Sequence, residues 1–167
     1  MKYNKPSSIE NTVNKIFGTG KTDEKLTELL DKIVKNREAI KQAIKASNYD
    51  VMQNTFLRLS ILNSELADYI ADQHILVGSL NAGMEFEKEA RYREEVQRGA
   101  SANSAYQISG RLTKEAEAEY VYQKGLLHSL TTIAESIRYL ISDVKARLEY
   151  EKGNIMNNNR RQNYENN

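Results

Sequence analysis

Residues 51–90, VMQNTFLRLSILNSELADYIADQHILVGSLNAGMEFEKEA, decide the fold. Their apolar positions Val51, Phe56, Leu59, Leu62, Leu66, Tyr69, Leu76, Leu80, Met84 and Ala90 advance mostly by three or four residues, which is the period of one helix face. The run is too long for an ordinary globular helix. A second stripe through Ile108, Leu112, Ala116, Leu127, Leu130, Ile133, Ile137, Leu140, Val144 and Leu148 supplies a partner of similar length. The spacing predicts an all-α protein built on a long antiparallel helical hairpin, coiled-coil-like in its seam. A helix over 50–98 would be on the order of 70 Å long, more than a compact domain of this chain length can surround.

Moving outward, Leu26, Leu29, Leu30, Ile33, Val34, Ile40 and Ile44 predict an additional N-terminal amphipathic helix from Asp23 to about Ala46. Thr22 is its expected N-cap, with Asp23 and Glu24 in the first turn. Ser47-Asn48-Tyr49-Asp50 carries turn chemistry, and Asn48 or Asp50 can cap the long helix. That helix should end near Arg98, because Gly99 suits the left-handed position past a helix end. Gly78 and Gly83 inside it predict a close helix approach or a local bend. The return helix should start between Ser101 and Ser104 and run to about Lys152, where Gly153 stops it. Three regions follow: a polar arm over 1–21, a helical domain over 22–152, and a tail over 153–167. The tail holds seven asparagines and is expected to be disordered when free.

A hairpin of this length leaves an apolar flank of each rod wet, so self-association is expected. Leu59, Leu62, Leu66, Leu130, Ile137 and Leu140 are the expected oligomer interface. Composition agrees with an all-helical chain. Its 167 residues include no Cys, no Trp and only Pro6 as proline, with 40% hydrophobic and 28% charged residues. Disulfides and thiolate metal sites are thereby excluded. No apolar run behind Met1 resembles a signal peptide, and no stretch approaches the roughly 20 apolar residues of a membrane span.

The net charge of +1 removes a strong polyelectrolyte argument for nucleic-acid binding. Its distribution is uneven: residues 1–49 carry ten Lys/Arg against six Asp/Glu, 50–144 nine against fourteen, and the last 23 five against three. Basic ends on an acidic rod suit attraction between subunits, or basic arms on a polyanion.

Catalytic and metal chemistry find little support. Gly18-Thr19-Gly20-Lys21-Thr22 resembles the end of a phosphate-binding loop, but Lys15 stands where that motif needs its first Gly, so a flexible turn is the better account. His74 and His128 sit on different helices without an i+4 His or Cys, and no Glu-x-x-His pair exists for a di-iron bundle. No metal and no cofactor are expected. The acids Glu85, Glu87, Glu89, Glu94 and Glu95, like Glu115, Glu117 and Glu119, fit a solvated helix face. No nucleophile–base arrangement is present, which argues against an enzyme.

The hairpin tip is the best functional patch. Lys88, Arg91, Arg93 and Arg98 approach the Gly99 loop, Arg111 and Lys114 leave it, and Tyr92 and Tyr106 lie between. Phosphates meet such cations and bases stack on such rings, so single-stranded nucleic acid is the matching ligand. The interleaved glutamates equally fit a salt-bridged helix end.

Glu89-Ala90-Arg91-Tyr92 before a Gly-containing loop, followed by a return helix ending Leu140-Ile141-Ser142-Asp143-Val144-Lys145-Ala146-Arg147, resembles the phage UvsY-type recombination mediators. The likeness spans about residues 57–152. It implies an all-helical, ring-forming, single-stranded-DNA-binding protein that loads a recombinase and displaces a single-strand-binding protein, with Lys88 and Arg91 facing DNA. A place in the host cytoplasm or a virion is expected separately, from the missing Cys. The chain departs from that pattern in its extra N-terminal helix, its Asn-rich tail and the acids around Lys88 and Arg91. A virion structural, scaffold or assembly protein made of packed helical hairpins is the competing expectation.

Overall fold

The computed structural model describes residues 24–165, which form four α-helices and no strand. They are α1 (Glu24–Lys45), α2 (Tyr49–Gln97), α3 (Ala102–Leu112) and α4 (Lys114–Glu165). The expected arm over 1–21, the Thr22 cap and the Gly18–Thr22 turn lie outside the described residues. No helix among the described residues is long and apolar enough to cross a membrane.

The first two of the three junctions use the same hydrogen-bond pattern. After α1, Ser47 N donates to Ile44 O at 3.2 Å and Asn48 N to Ala43 O at 3.0 Å; after α2, Gly99 N donates to Val96 O and Ala100 N to Glu95 O, each at 3.0 Å. This is the Schellman motif, which satisfies the last helical carbonyls by placing one residue in the left-handed region. Ser47 holds that place at φ 49° and Gly99 at φ 89°. Asn48 caps α2, its Oδ1 accepting from Val51 N at 3.1 Å. Ser101 caps α3, its Oγ accepting from Ser104 N at 3.3 Å.

The return leg is not one helix. Thr113 lies between its two parts, and its N and its Oγ1 both donate to Ser109 O at 3.1 Å. Gly153 does not stop the return helix, since α4 continues on to Glu165. Gly weakens a helix by up to about 1 kcal/mol relative to Ala, but it ends one only where the chain turns into the left-handed region. Among the described residues Gly99 is the glycine that does so. Gly78 and Gly83 do not break α2, and they mark no close approach within the chain, since a Cβ at either would meet nothing within 4 Å.

The chain divides into two compact units. The first takes α1, α2 up to Ala67 and α4 from Thr132. Leu26, Leu29, Leu30, Ile33, Ile40 and Ala43 of α1 are buried there, with Met52, Leu59, Leu62 and Leu66 of α2 and Ile133, Ala134, Ile137 and Val144 of α4. Ile40, Leu59 and Val144 form a fully buried cluster against which Ile44, Phe56, Leu140, Ile141 and Leu148 pack. These positions recur at helical spacing, so each helix contributes one apolar face to a common core.

The second unit, Asp68–Thr131, has a much thinner interior. Leu127 and Leu130 are the large apolar side chains buried among its described residues, alongside the small Ala105, Ser109 and Thr113. Within it α2 buries nothing at all: Leu66 is the last buried residue of that helix, and Tyr69, Gln73, Val77, Leu80 and Met84 are half-buried.

Candidate functional site

The six basic residues of the tip all lie in the second unit, on α2, α3, α4 and the turn after α2. Lys88 is half-buried on α2, and its Nζ reaches the Tyr106 hydroxyl of α3 at 3.5 Å and stands 4.8 Å from the ring centroid. It is thereby oriented by an aromatic face, a contact worth about 0.5–1 kcal/mol at an exposed site. Glu85, Phe86, Glu89, Tyr92 and Ser109 line the open groove beside this pair.

The arginines behave differently. Arg91 sits between Glu87 at 3.9 Å and Glu94 at 3.4 Å. Arg93 pairs with Glu89, and Arg98 with Glu95 at 2.5 Å. Each is an i,i+3 or i,i+4 pair along the chain, the spacing that puts opposite charges on one helix face. Such exposed pairs contribute about 0–1 kcal/mol apiece, so a polyanion could displace them. Their electrostatic effect is nevertheless decisive: between Glu85 and Arg98 four basic residues face five acidic ones. That segment presents no net positive field to a phosphate chain. Arg111 and Lys114 are exposed and, like Lys88, have no carboxylate partner among the described residues, so three of the six candidates keep an uncompensated charge.

The residues expected at an oligomer interface occupy other surroundings. Leu59, Leu62, Leu66, Leu130 and Ile137 are buried within the chain's own packing, and Leu140 packs on the Ile40–Leu59–Val144 cluster. Their side chains are already enclosed. The large apolar groups that meet solvent are others, and in the second unit they are Ile75, Leu76, Phe86, Val96, Tyr106, Leu112 and Val121. Phe86 is 76% exposed and Ile75 69% exposed, values usual for a lysine rather than for an aromatic ring or a branched aliphatic chain. Sequence reasoning passed over both, although Ile75, Ser79, Ala82 and Phe86 repeat at steps of four, three and four on one face.

No group of three or more His, Asp or Glu able to hold a metal ion occurs among the described residues. Polar order in this unit centres instead on Gln73. Its Nε2 donates to Gln123 O at 3.1 Å and to Gln123 Oε1 at 2.6 Å, while Gln123 Nε2 donates to Glu119 Oε1 at 2.6 Å. No protein-family model, curated protein or solved structure matches this chain. The functional reading therefore rests on its own residues.

Proposed function

We propose that this chain is a non-enzymatic assembly protein, a scaffold-type component that acts by packing its helices against further copies of itself. The observation that carries the reading is the composition of the second unit: its α2 stretch buries no residue, while Ile75, Leu76, Phe86 and Val96 of that stretch face water. Fully burying a side chain of this kind gains about 1.5–3 kcal/mol, so a set of them left wet is a strong drive to associate. Within residues 68–131 the arrangement is a coiled-coil-like antiparallel hairpin. Two contacts support that description: Gln73–Gln123, 50 residues apart, and Lys88–Tyr106, 18 apart, close progressively toward the Gly99 turn.

A second reading keeps the UvsY-like role as a single-stranded-DNA binder that hands DNA to a recombinase. Lys88 set over Tyr106, with Tyr92 and Phe86 beside it, favours it. The glutamates paired with Arg91, Arg93 and Arg98 oppose it.

Light scattering with and without a labelled single-stranded oligonucleotide, at low and high salt, separates the two. Assembly predicts a mass above the 19.1 kDa of one chain that the oligonucleotide leaves unchanged. DNA binding predicts a complex lost steeply with salt as counterions return to the phosphates, and abolished by Arg91→Glu with Arg111→Glu. A single-chain mass at every concentration would end the assembly reading.

A further inference from the structure

We infer that α2 docks a second copy of this chain, antiparallel, through the face formed by Asp68, Ile75, Ser79, Ala82, Phe86 and Arg93. The inference rests on the assembly reading and names its interface. All six residues are exposed, and all lie on one side of the helix: Ile75, Ser79, Ala82 and Phe86 step by four, three and four, and Asp68 and Arg93 stand seven residues beyond either end. The half-buried row Tyr69, Gln73, Val77, Leu80 and Met84 occupies the other side, toward α3 and α4. The α2 helix is therefore apolar on two sides, and its own chain covers one of them.

What fits the uncovered side is dictated by its order. Read from either end, the centre line of the face runs charged, large apolar, small, small, large apolar, charged, the two end charges being opposite in sign, with the exposed carboxylates Asp72 and Glu89 on its margins. A second α2 laid antiparallel with its midpoint between Leu80 and Asn81 brings Ile75 of one copy onto Phe86 of the other. It brings Asp68 of one onto Arg93 of the other. A parallel pair would instead set Asp68 on Asp68 and Arg93 on Arg93, a like-charge contact at both ends. Asp72 and Glu89, on the margins, meet a carboxylate in either sense, so the ends decide for the antiparallel pair, an isologous contact with two-fold symmetry.

The middle of the face explains two glycines that the chain's own packing does not. Gly78 and Gly83 lie on its margins with nothing within 4 Å of a Cβ built on either. With Ser79 and Ala82 they leave bare backbone between the two large residues, so the second helix can come close while Ile75 and Phe86 interlock at its ends. Arg93, paired along its own helix with Glu89, is then shared with Asp68 of the other copy.

The test uses the full chain, with circular dichroism to check that helix content holds and light scattering to report mass. Ala82→Glu changes an exposed residue to another good helix former and places two carboxylates at the pairing axis. It should leave helix content unchanged and lower the mass to 19.1 kDa. Asp68→Arg and Arg93→Asp should each raise the dissociation constant about tenfold, and the double reversal should restore it. If Ala82→Glu keeps the wild-type mass, or the double reversal fails to rescue, the interface lies elsewhere and only this inference falls. If the wild-type chain is monomeric throughout, this inference and the assembly reading fall together.

Discussion

Gln73 and Gln123, fifty positions apart, meet side chain to side chain at 2.6 Å in the middle of an otherwise apolar row. Gln73 is flanked along that row by Tyr69 and Val77, and Gln123 is tied onward to Glu119. A polar pair at such a place fixes which turns of the two helices face each other, at some expense in stability. Gln73→Leu alone takes the donor from Gln123 Oε1 in a part-buried site and should destabilise the chain by about 1 kcal/mol in urea denaturation. Gln73→Leu with Gln123→Leu should recover or exceed wild-type stability, giving a coupling of about 0.5–3 kcal/mol in the double-mutant cycle. Additive single effects would show that the two amides do not act as a pair.

The ion pair of Glu28 and Lys32 on α1, at 2.8 Å, sets a pH dependence whose sign follows from both partners. The hydrogen bond from Lys32, then its charge, holds the Glu28 carboxyl below its ordinary value; the hydrogen bond to Glu28, then its charge, lifts the Lys32 ammonium above its own. The depressed carboxyl contributes stability above its unfolded-state value, and this is lost as pH falls through the folded one. The raised ammonium contributes below its unfolded-state value, and this is lost as pH rises through the folded one. The thermal midpoint of the wild type should therefore exceed that of Glu28→Gln across neutral pH. The gap should shrink on acidification past the carboxylate range, on alkalinisation past the lysine range, and with added salt, because both groups are exposed. A gap that persists in acid would mean the pair is not its source.

The two Schellman turns offer an internal comparison. Ser47 holds φ 49° with a side chain attached, whereas Gly99 holds φ 89° without one. A non-glycine residue in the left-handed region costs about 1–2 kcal/mol. Ser47→Gly should thus stabilise the chain by up to about 1 kcal/mol, the unfolded-state entropy of Gly offsetting part of the gain. Gly99→Ala should destabilise it by about 1 kcal/mol or more, read from the denaturation midpoint. Equal and opposite shifts are not expected, since a Cβ at Gly99 has open space around it and the strain is confined to the backbone.

Period and punctuation made much of the fold legible. The spacing from Leu26 to Ile44 marked α1, the stripe from Val51 marked α2, and Gly99 marked the turn. The break at Thr113 was not legible, because its residue type does not mark it: Thr131 makes the same hydroxyl-to-carbonyl bond, to Leu127 O at 2.9 Å, inside the unbroken α4. Gly153 misled for the opposite reason: a glycine's freedom to leave a helix is not a requirement to do so. At the tip, residue types were readable and so was their neutralisation, since Glu87–Arg91 and Glu89–Arg93 already stand at i,i+4. Periodicity says which faces become buried, but not which chain covers them. That is why Leu59, Leu66 and Ile137, expected between subunits, lie inside one chain, while Ile75 and Phe86 stay uncovered.

This distinction between covered and uncovered rows has a direct mutational consequence. Leu66 is fully buried in the first unit, so Leu66→Ala should destabilise the fold by about 2–5 kcal/mol through lost transfer energy and a residual cavity. Leu66→Glu, which would bury an unpaired carboxylate, should unfold the first unit rather than simply separate subunits. Ile75→Ala, at a residue 69% exposed, should change the stability of the isolated chain by no more than about 0.5 kcal/mol. Chemical denaturation at low protein concentration, where association contributes least, measures all three. A large loss from Ile75→Ala under those conditions would mean that its row is covered within the chain after all.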